Sequence, residues 1–168
     1  MSKESEPWQH GGADNQQERL DAQWITGFVD GEGCFHIGIN RQPAMTLGWQ
    51  VLPELRVVQH RRDEHILHRI KEYFGFGQVV VNHGDRKEWR VRGLKNLNRV
   101  VSFFRKYSLQ TGKKVHFETF AFVIEMMNKK KHLTKNGLNS IAQLSSTMNK
   151  CVTPRYLESP ETIRQTSL

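Results

Sequence analysis

The decisive stretch of this sequence is a run of ten residues, Trp24-Ile25-Thr26-Gly27-Phe28-Val29-Asp30-Gly31-Glu32-Gly33. It begins as an apolar, helix-like segment and ends in small residues and two carboxylates. Gly27 and Gly31 are four positions apart, so they lie on one face of a helix, and that face has no side chains. Two backbones can approach each other there more closely than ordinary side chains allow. The spacing therefore predicts a close contact centred on these two glycines.

Two acidic residues stand at the unfavourable end of this predicted helix. Asp30 and Glu32 lie at its C-terminus, where the partial charge of the helix dipole is already negative. A carboxylate in that place is poorly stabilised unless a cation lies beside it. The alternative is a core helix that ends in glycine caps at Gly31 and Gly33, which accounts for the glycines and leaves the acids unexplained. The pattern favours a device that holds acidic groups together around a divalent metal.

The run resembles the signature of the LAGLIDADG homing endonucleases, and the surrounding sequence resembles the single-motif members that act as homodimers. The resemblance is strongest over residues 20–38 and extends in pattern to about Asn149. It implies a LAGLIDADG homing endonuclease-like fold of the α+β class. In that fold a four-stranded antiparallel DNA-binding sheet has helices on one face. It also implies a homodimer that pairs through the first helix, with Gly27 and Gly31 at the centre of the interface.

Length and composition indicate one folded domain. The chain has 168 residues, 37% of them hydrophobic, which is enough for a single core. It has no apolar run long enough for a membrane span, and residues 1–15 lack the apolar stretch of a signal peptide. Two cysteines are too few for a disulfide framework. We expect a flexible arm over residues 1–15, an endonuclease domain over 16–150 and a tail over 151–168.

The net charge of +8 is concentrated in the middle of the chain. Residues 34–114 carry sixteen basic and six acidic side chains, net +10, whereas residues 1–33 are net −5 and residues 115–168 are net +3. A basic excess along predicted strands indicates a polyanionic partner, and nucleic acid is the usual one. The expected location is the cytoplasm of a bacterium or archaeon, or the matrix or stroma of an organelle, with no targeting segment and no membrane partner.

The hydrophobic periodicity predicts an α+β chain. Helices are predicted at residues 15–30, 62–74, 94–106, 114–127 and 138–148, and strands at residues 34–42, 50–58, 78–82 and 88–92. Pro53 interrupts the second strand and predicts an edge position or a bulge there. The strands are expected to form one antiparallel sheet, with one apolar face under the helices and one polar, basic face open.

The open face of the sheet is predicted to bind double-stranded DNA. A two-stranded ribbon fits the major groove, where arginine suits guanine and asparagine or glutamine suits adenine. An ordinary solvated strand face is the alternative for each side chain. The residues expected to contact DNA, including one that follows the second strand, are His36, Asn40, Gln42, Gln50, Arg56, Arg61, Asn82, Arg90 and Arg92.

The catalytic assignments come from the resemblance alone. It implies that Glu32 binds Mg²⁺ and that the Gly31 carbonyl lies near the metal; hard oxygen ligands of this kind suit Mg²⁺. It also implies that Gln59 orders active-site water and that Lys113 polarises solvent near the metal. Related enzymes often have a further basic residue after the glutamine. Asp63 stands at that place here, and Arg61 and Arg62 are the candidate substitutes.

Two functions follow from the resemblance. The first is a site-specific, intron-encoded endonuclease that cuts both strands of a long, nearly palindromic DNA site by metal-dependent phosphodiester hydrolysis, with no small-molecule substrate. The alternative is an intron-splicing maturase or a non-cleaving nucleic-acid-binding protein of the same fold. Retention of Glu32 favours cleavage, because a protein that only binds DNA has no need of an acid near phosphates.

Overall fold

The structure, a computed structural model, describes residues 19–149 and 152–159. The chain folds into five α-helices and four strands within these ranges: α1 (Ala22–Glu32), β1 (Gly33–Arg41), β2 (Trp49–His60), α2 (Glu64–Phe74), β3 (Gln78–Val81), β4 (Arg86–Val91), α3 (Leu94–Lys106), α4 (Lys113–Asn128) and α5 (Lys135–Ser146). The predicted arm, residues 1–15, lies outside the described residues. No helix in the described ranges is both long and apolar enough to cross a membrane.

The strands form one antiparallel sheet in the order β1-β2-β4-β3. One face of the sheet is buried beneath the helices, and Phe35 lies at its centre. Its ring packs against Phe104 at 5.6 Å, Phe117 at 5.4 Å and Phe120 at 5.3 Å between ring centroids. The opposite face carries the polar side chains. This confirms the predicted four-stranded antiparallel sheet with helices on one face.

Helix α1 begins seven residues later than the predicted start at Asn15 and extends two residues further, to Glu32. The Asp21 side chain caps it by accepting from the backbone N–H groups of Gln23 and Trp24, which is the usual role of aspartate at a helix N-cap. Leu20 still packs against the core, although it precedes the helix. Its apolar character mimicked the helical spacing, and the predicted start was therefore wrong.

The outer edge of β1 is covered by the C-terminal part of the chain. Ser145 donates its hydroxyl to the Ile37 carbonyl at 2.9 Å, and the Asn149 side-chain amide donates to the Phe35 carbonyl at 3.0 Å. Tyr156 is buried against Trp49, with ring centroids 5.4 Å apart. These contacts satisfy edge carbonyls that are otherwise free to pair with another strand. The predicted division of the chain at residue 150 stays a prediction.

The prediction for Pro53 needs correction, because β2 is an inner strand of the sheet. Pro53 lies opposite Ile37, whose carbonyl points outward to Ser145, so the two residues do not exchange backbone hydrogen bonds. The Pro53 nitrogen therefore faces the other side of β2. There β4 pairs only with residues 55–60. Proline is tolerated because no strand lies beside β2 at this level.

Candidate active site and DNA-binding face

The turn from α1 into β1 requires glycine at position 33. The Gly33 backbone N–H donates to the Val29 carbonyl, and its backbone is extended, with φ −79° and ψ 156°. A Cβ at this position would lie 2.6 Å from Val29 Cγ1 and 2.7 Å from the Val29 carbonyl oxygen. The predicted glycine cap is thus real for Gly33. The turn leaves Glu32, the last residue of α1, exposed at the end of the helix.

Asp30 serves the fold, which the sequence interpretation did not foresee. Its carboxylate accepts hydrogen bonds from the backbone N–H of Gln110 at 2.7 Å, from the backbone N–H of Thr111 and from the Thr111 hydroxyl. Partial burial opposes ionisation, but the bonds from Thr111 and Gln110 and the charge of Lys113 hold the pKa of Asp30 below its usual value. Asp30 therefore fastens α1 to the segment that leads into α4. No local sequence signal reveals partners eighty positions away.

Lys113, the first residue of α4, reaches the C-terminus of α1. Its Nζ donates to the carbonyl oxygens of Val29 at 3.1 Å and Gly31 at 3.3 Å. The Val29 carbonyl also accepts from the Gly33 N–H, and a cation at the C-terminal end of a helix is favoured by the dipole. Burial lowers the pKa of Lys113, against the raising effect of Cys34, Asp30 and Glu32. The structure thus brings this predicted active-site lysine to the same helix end as Glu32.

The glycine face of α1 is uncovered. A Cβ built on Gly27 or on Gly31 meets no atom within 4 Å. Beside these glycines, Trp24 remains 43% exposed and stacks on Phe28 with ring centroids 4.9 Å apart. The interior of the protomer therefore gives no reason for glycine at either position. Close approach by the backbone of another helix would explain glycine at both positions, and such a partner stays a prediction.

Gln59 and Arg61 lie near the beginning of β1 at the far end of β2. Gln59 is two residues beyond Val57, which pairs with Gly33, and it pairs with Lys87 of β4. Strand alternation places Gln59 on the helix side of the sheet rather than on the polar face. Arg61 stands in a short 3₁₀ turn and is exposed. The catalytic role of Gln59 and the DNA contact of Arg61 stay predictions.

Arg62 and Asp63 form an ion pair with each other. Arg62 Nε lies 3.3 Å from the Asp63 carboxylate, and both side chains are largely exposed. An exposed pair between sequence neighbours is weak, so Arg62 remains able to move. The choice between Arg61 and Arg62 as the basic group near the active site stays open.

The polar face of the sheet brings the other predicted DNA-binding residues together. Arg56 and Arg90 lie directly opposite each other on β2 and β4, and Asn40 lies opposite Gln50 on β1 and β2. Gln42, Asn82 and Arg92 stand just beyond the strand ends. His36 is half-buried on the same face. Burial, together with the charge of Arg56, lowers the pKa of His36 and so favours its neutral form.

Two buried glutamates on this face were missed as functional candidates. Glu54 on β2 is 5% exposed and Glu88 on β4 is 4% exposed. Glu54 lies 2.9 Å from Arg56 Nε and accepts from Arg92 Nε at 2.6 Å. Glu88 lies 3.2 Å from Arg90 Nε. A sequence signal existed, because each glutamate stands two positions before an arginine in a strand, as Glu-x-Arg.

The oxygen ligands at the end of α1 fit Mg²⁺ only as half of a site. The exposed Glu32 carboxylate and the Gly31 carbonyl are hard donors of the kind that Mg²⁺ accepts while it keeps several waters. Within the described residues, no three His, Cys, Asp or Glu side chains cluster as metal ligands. Asp30 is already held by residues 110–111. A second copy of the same helix end as the source of further ligands stays a prediction.

Sequence comparison identifies relatives of the whole central region. The sequence profile of LAGLIDADG endonuclease matches residues 25–124. The chain is 37% identical over 119 residues to an uncharacterized 50.9 kDa protein in ND4 intron 1 of Podospora anserina, and 30% identical over 129 residues to probable intron-encoded endonuclease 3 of Neurospora crassa. These alignments cover 69% and 75% of this chain but 26% and 24% of the relatives. The chain thus spans about a quarter of their length.

Solved structures share the fold. The homing endonuclease I-TnaI superposes with a TM-score of 0.81 and 42% identity, over 88% of this chain and 99% of that chain. The LAGLIDADG meganuclease I-CpaMI, bound to uncleaved DNA, superposes with a TM-score of 0.80 and 25% identity, over 87% of this chain and 50% of that chain. The profile match includes most of α1, the four strands, α2, α3 and most of α4, which assemble the candidate site. Motif, fold and site therefore agree that the chain belongs to the LAGLIDADG endonuclease family.

Proposed function

We propose that the chain is an intron-encoded homing endonuclease that acts as a homodimer. Two copies bind a long, nearly palindromic double-stranded DNA site and cut both strands by Mg²⁺-dependent phosphodiester hydrolysis. The names of the relatives support intron encoding and endonuclease activity. The chain matches the full length of I-TnaI and about half of I-CpaMI, which supports a single-motif unit. The cellular compartment stays a prediction.

The observation that carries this proposal is the uncovered end of α1. Gly27, Gly31 and Glu32 face outward, whereas Asp30 and Gly33 are used within the chain. Two copies that pack glycine face to glycine face bring their two Glu32 carboxylates to one axis, because the interface of a symmetric dimer uses the same patch twice. The pairing also buries the exposed Trp24–Phe28 stack at the margin of the contact. A complete acidic site then forms between the protomers.

The residues around this helix end have complementary roles in the proposal. Glu32 and the Gly31 carbonyl would hold Mg²⁺, which would supply water activation and charge stabilisation at the phosphate. Lys113, fixed against α1, places a cation beside the negative charge that develops on the phosphate. Gln59 orients solvent from the end of β2.

The sheet supplies binding in this proposal. Phosphate contacts position the protein on the duplex, and base-edge contacts from outward side chains select the sequence. The arginines at positions 56, 90 and 92 lie in the middle of the polar face, with the amides of Asn40 and Gln50 toward one end. This arrangement offers guanine-directed groups at the centre of the face and adenine-directed groups at its margin.

The test is the substitution Glu32→Gln, which keeps the shape of the side chain and removes its charge. Sites enriched by binding from a randomised duplex library are cloned into a plasmid, and cutting is followed with and without Mg²⁺. We expect cleavage to fall by at least about a hundredfold while binding of the enriched site persists, because metal-assisted charge stabilisation supplies much of the rate.

The matched control is Glu118→Gln, which removes the same charge from an exposed position on α4. It should cut as the wild type does. Equal cutting by Glu32→Gln rules out the proposed role of Glu32. A wild type that binds the enriched site tightly but never cuts it, in the presence of Mg²⁺, supports a binding or maturase function instead.

A further inference from the structure

The polar face of β2 and β4 carries an alternating charge pattern. Register places Arg56 directly opposite Arg90, and the positions two residues along on each strand hold Glu54 and Glu88. Because the strands are antiparallel, the two glutamates lie on opposite sides of the arginine pair. Arg92 follows β4 next to Glu54. A line of buried carboxylates and half-exposed guanidinium groups thus crosses the sheet.

Two arginines directly opposite each other on neighbouring strands repel. Each is drawn away from the other by its own glutamate: Arg56 Nε lies 2.9 Å from Glu54, and Arg90 Nε lies 3.2 Å from Glu88. The two arginine side chains are therefore directed apart along the strands. Their separation sets which groups on a bound molecule each guanidinium can reach.

Burial is divided unequally between the acids and their partners. The side chains of Glu54 and Glu88 are 7% and 5% exposed, whereas those of Arg56, Arg90 and Arg92 are 30%, 27% and 46% exposed. The contacts engage the Nε atoms, which are nearest the aliphatic stem. The three arginine side chains remain partly exposed on the open face. Arg92 Nε is hydrogen-bonded to Glu54, whereas the buried Arg56 Nε is held near Glu54 by charge and has no hydrogen bond.

Both glutamates also hold a second group. Glu54 accepts a hydrogen bond from Arg92 Nε at 2.6 Å, and Glu88 accepts one from the Asn82 side-chain amide at 2.6 Å. Glu54 thus fixes one pair of outward side chains, and Glu88 fixes another. The two pairs lie on different parts of the face, so each glutamate controls its own set of neighbours.

We propose that Glu54 and Glu88 are positioning residues for DNA sequence recognition. They hold Arg56 and Arg92, and Arg90 and Asn82, in the orientations that read bases, and they do not themselves contact DNA. Preorganised contacts discriminate between bases more strongly than mobile side chains do. This inference rests on the proposed function of the sheet as a DNA-binding face.

The expected effects separate positioning from charge and from folding. A buried carboxylate beneath a face that meets phosphates opposes binding to any DNA, so its removal raises affinity for random sequence. Loss of positioning lowers the preference for the selected site. A residue that acted only through charge would change both affinities by the same factor, and one needed only for folding would lower both. Positioning predicts opposite changes in affinity and preference.

The experiment uses Glu54→Gln and Glu88→Gln in the full chain. The probe is a duplex DNA library with a randomised segment of two helical turns, about 21 base pairs. Binding is selected, the enriched sequences are read, and affinities for enriched and starting DNA are measured at one salt concentration. We expect each variant to bind the starting library at least as tightly as the wild type. The preference for the wild-type site should fall roughly tenfold, since one well-placed base contact is lost.

Three controls make the outcome decisive. Glu125→Gln removes the same charge and an exposed ion pair with Lys129 on α4 and should leave the selected sequence unchanged. Glu54→Asp keeps the charge but withdraws the carboxylate by one methylene, so it should also lose preference if position matters. Glu54→Gln and Glu88→Gln should blur different base positions. Thermal unfolding of each variant confirms that it folds.

Two results overturn the inference without touching the proposed function. In the first, the variants select the same sequence with the same preference as the wild type. In the second, Glu54→Asp behaves as the wild type while Glu54→Gln does not, so that charge alone explains the effect of Glu54. A wild type that enriches no sequence at all instead contradicts the proposed function of the sheet. The two failures are therefore distinguishable.

Discussion

Replacing Gly27 by alanine should change the stability of the protein in opposite directions in an isolated protomer and in a dimer that pairs through α1. Gly27 lies in the middle of an eleven-residue helix, and an added Cβ meets no atom within 4 Å. Glycine inside a helix costs roughly 0.5–1 kcal/mol relative to alanine. In an isolated protomer, Gly27→Ala should therefore raise the free energy of unfolding.

The proposed dimer predicts the reverse. Two methyl groups, one per protomer, would enter a contact that is close because it lacks side chains. Overpacking costs about 1–3 kcal/mol at each insertion. The helix-propensity gain does not offset this cost in association, because the folded monomer and the dimer share it. We expect the dimer to weaken by roughly 2–6 kcal/mol, which corresponds to about a 30- to 30,000-fold weaker association.

The measurement is sedimentation together with thermal unfolding over a wide range of protein concentration. The wild type should sediment as a dimer, and its melting temperature should rise with concentration, as expected when association stabilises the folded chain. Gly27→Ala should dissociate at concentrations where the wild type does not. Gly27→Leu should be monomeric throughout.

Gly112→Ala is the matched control for this test. Gly112 is exposed, its added Cβ also meets nothing within 4 Å, and its φ of −56° suits alanine. It should leave association unchanged. A wild type that is monomeric at all concentrations and on DNA, with Gly27→Ala raising its melting temperature, would refute the reasoning.

Two further predictions concern residues that α1 uses within the protomer. Asp30→Asn should cost about 1–2 kcal/mol at neutral pH, because it weakens hydrogen bonds to an ionised acceptor. The pKa of Asp30 is lowered in the fold, so this stabilisation is present above the unfolded pKa near 3.9 and is lost as pH falls through the folded pKa. Urea unfolding at about pH 7 and about pH 3 should show that the stability difference between the wild type and Asp30→Asn shrinks at the lower pH. A stability difference that stays constant would contradict this prediction. Gly33→Ala should cost roughly 1–3 kcal/mol because its Cβ meets the Val29 backbone. Gly38→Ala, whose Cβ would lie 3.4 Å or more from its neighbours, should cost less in the same assay.

The sequence was most informative where local pattern decides structure. Helix α3 was predicted over its observed bounds, and α2 and α4 within two residues, because each has a continuous apolar stripe. Prediction was weaker where an apolar residue outside a helix imitates its spacing, as Leu20 does before α1. The sequence also did not reveal why Pro53 fits in an inner strand. β4 pairs only with residues 55–60, so β2 has no neighbour on that side at Pro53.

The sequence placed Glu32 at a helix end and Gly27 and Gly31 on one open face, and the structure has both features. The catalytic role of Glu32 came from the resemblance and stays a prediction. The connections of the site were not predictable. The role of Asp30 depends on residues 110–111, and the burial of Glu54 depends on arginines from two strands. Such partners become neighbours only through the register of the sheet and the packing of α4. A single sequence shows which side chains are present but not which of them become neighbours in the fold.

The ten-residue motif therefore serves two purposes that respond differently to substitution. Asp30 and Gly33 have partners inside the chain, so changes there should lower stability at every protein concentration. Gly27 and Gly31 face open space, and Glu32 is exposed, so a protomer altered at these positions can still fold. If the active site forms between two copies, such a protomer loses association or cleavage while its stability as a monomer is kept or, for Gly27→Ala, raised. Substitutions at Gly27, Gly31 and Glu32 should therefore abolish function while the chain still folds. Substitutions at Asp30 and Gly33 should impair function and folding together.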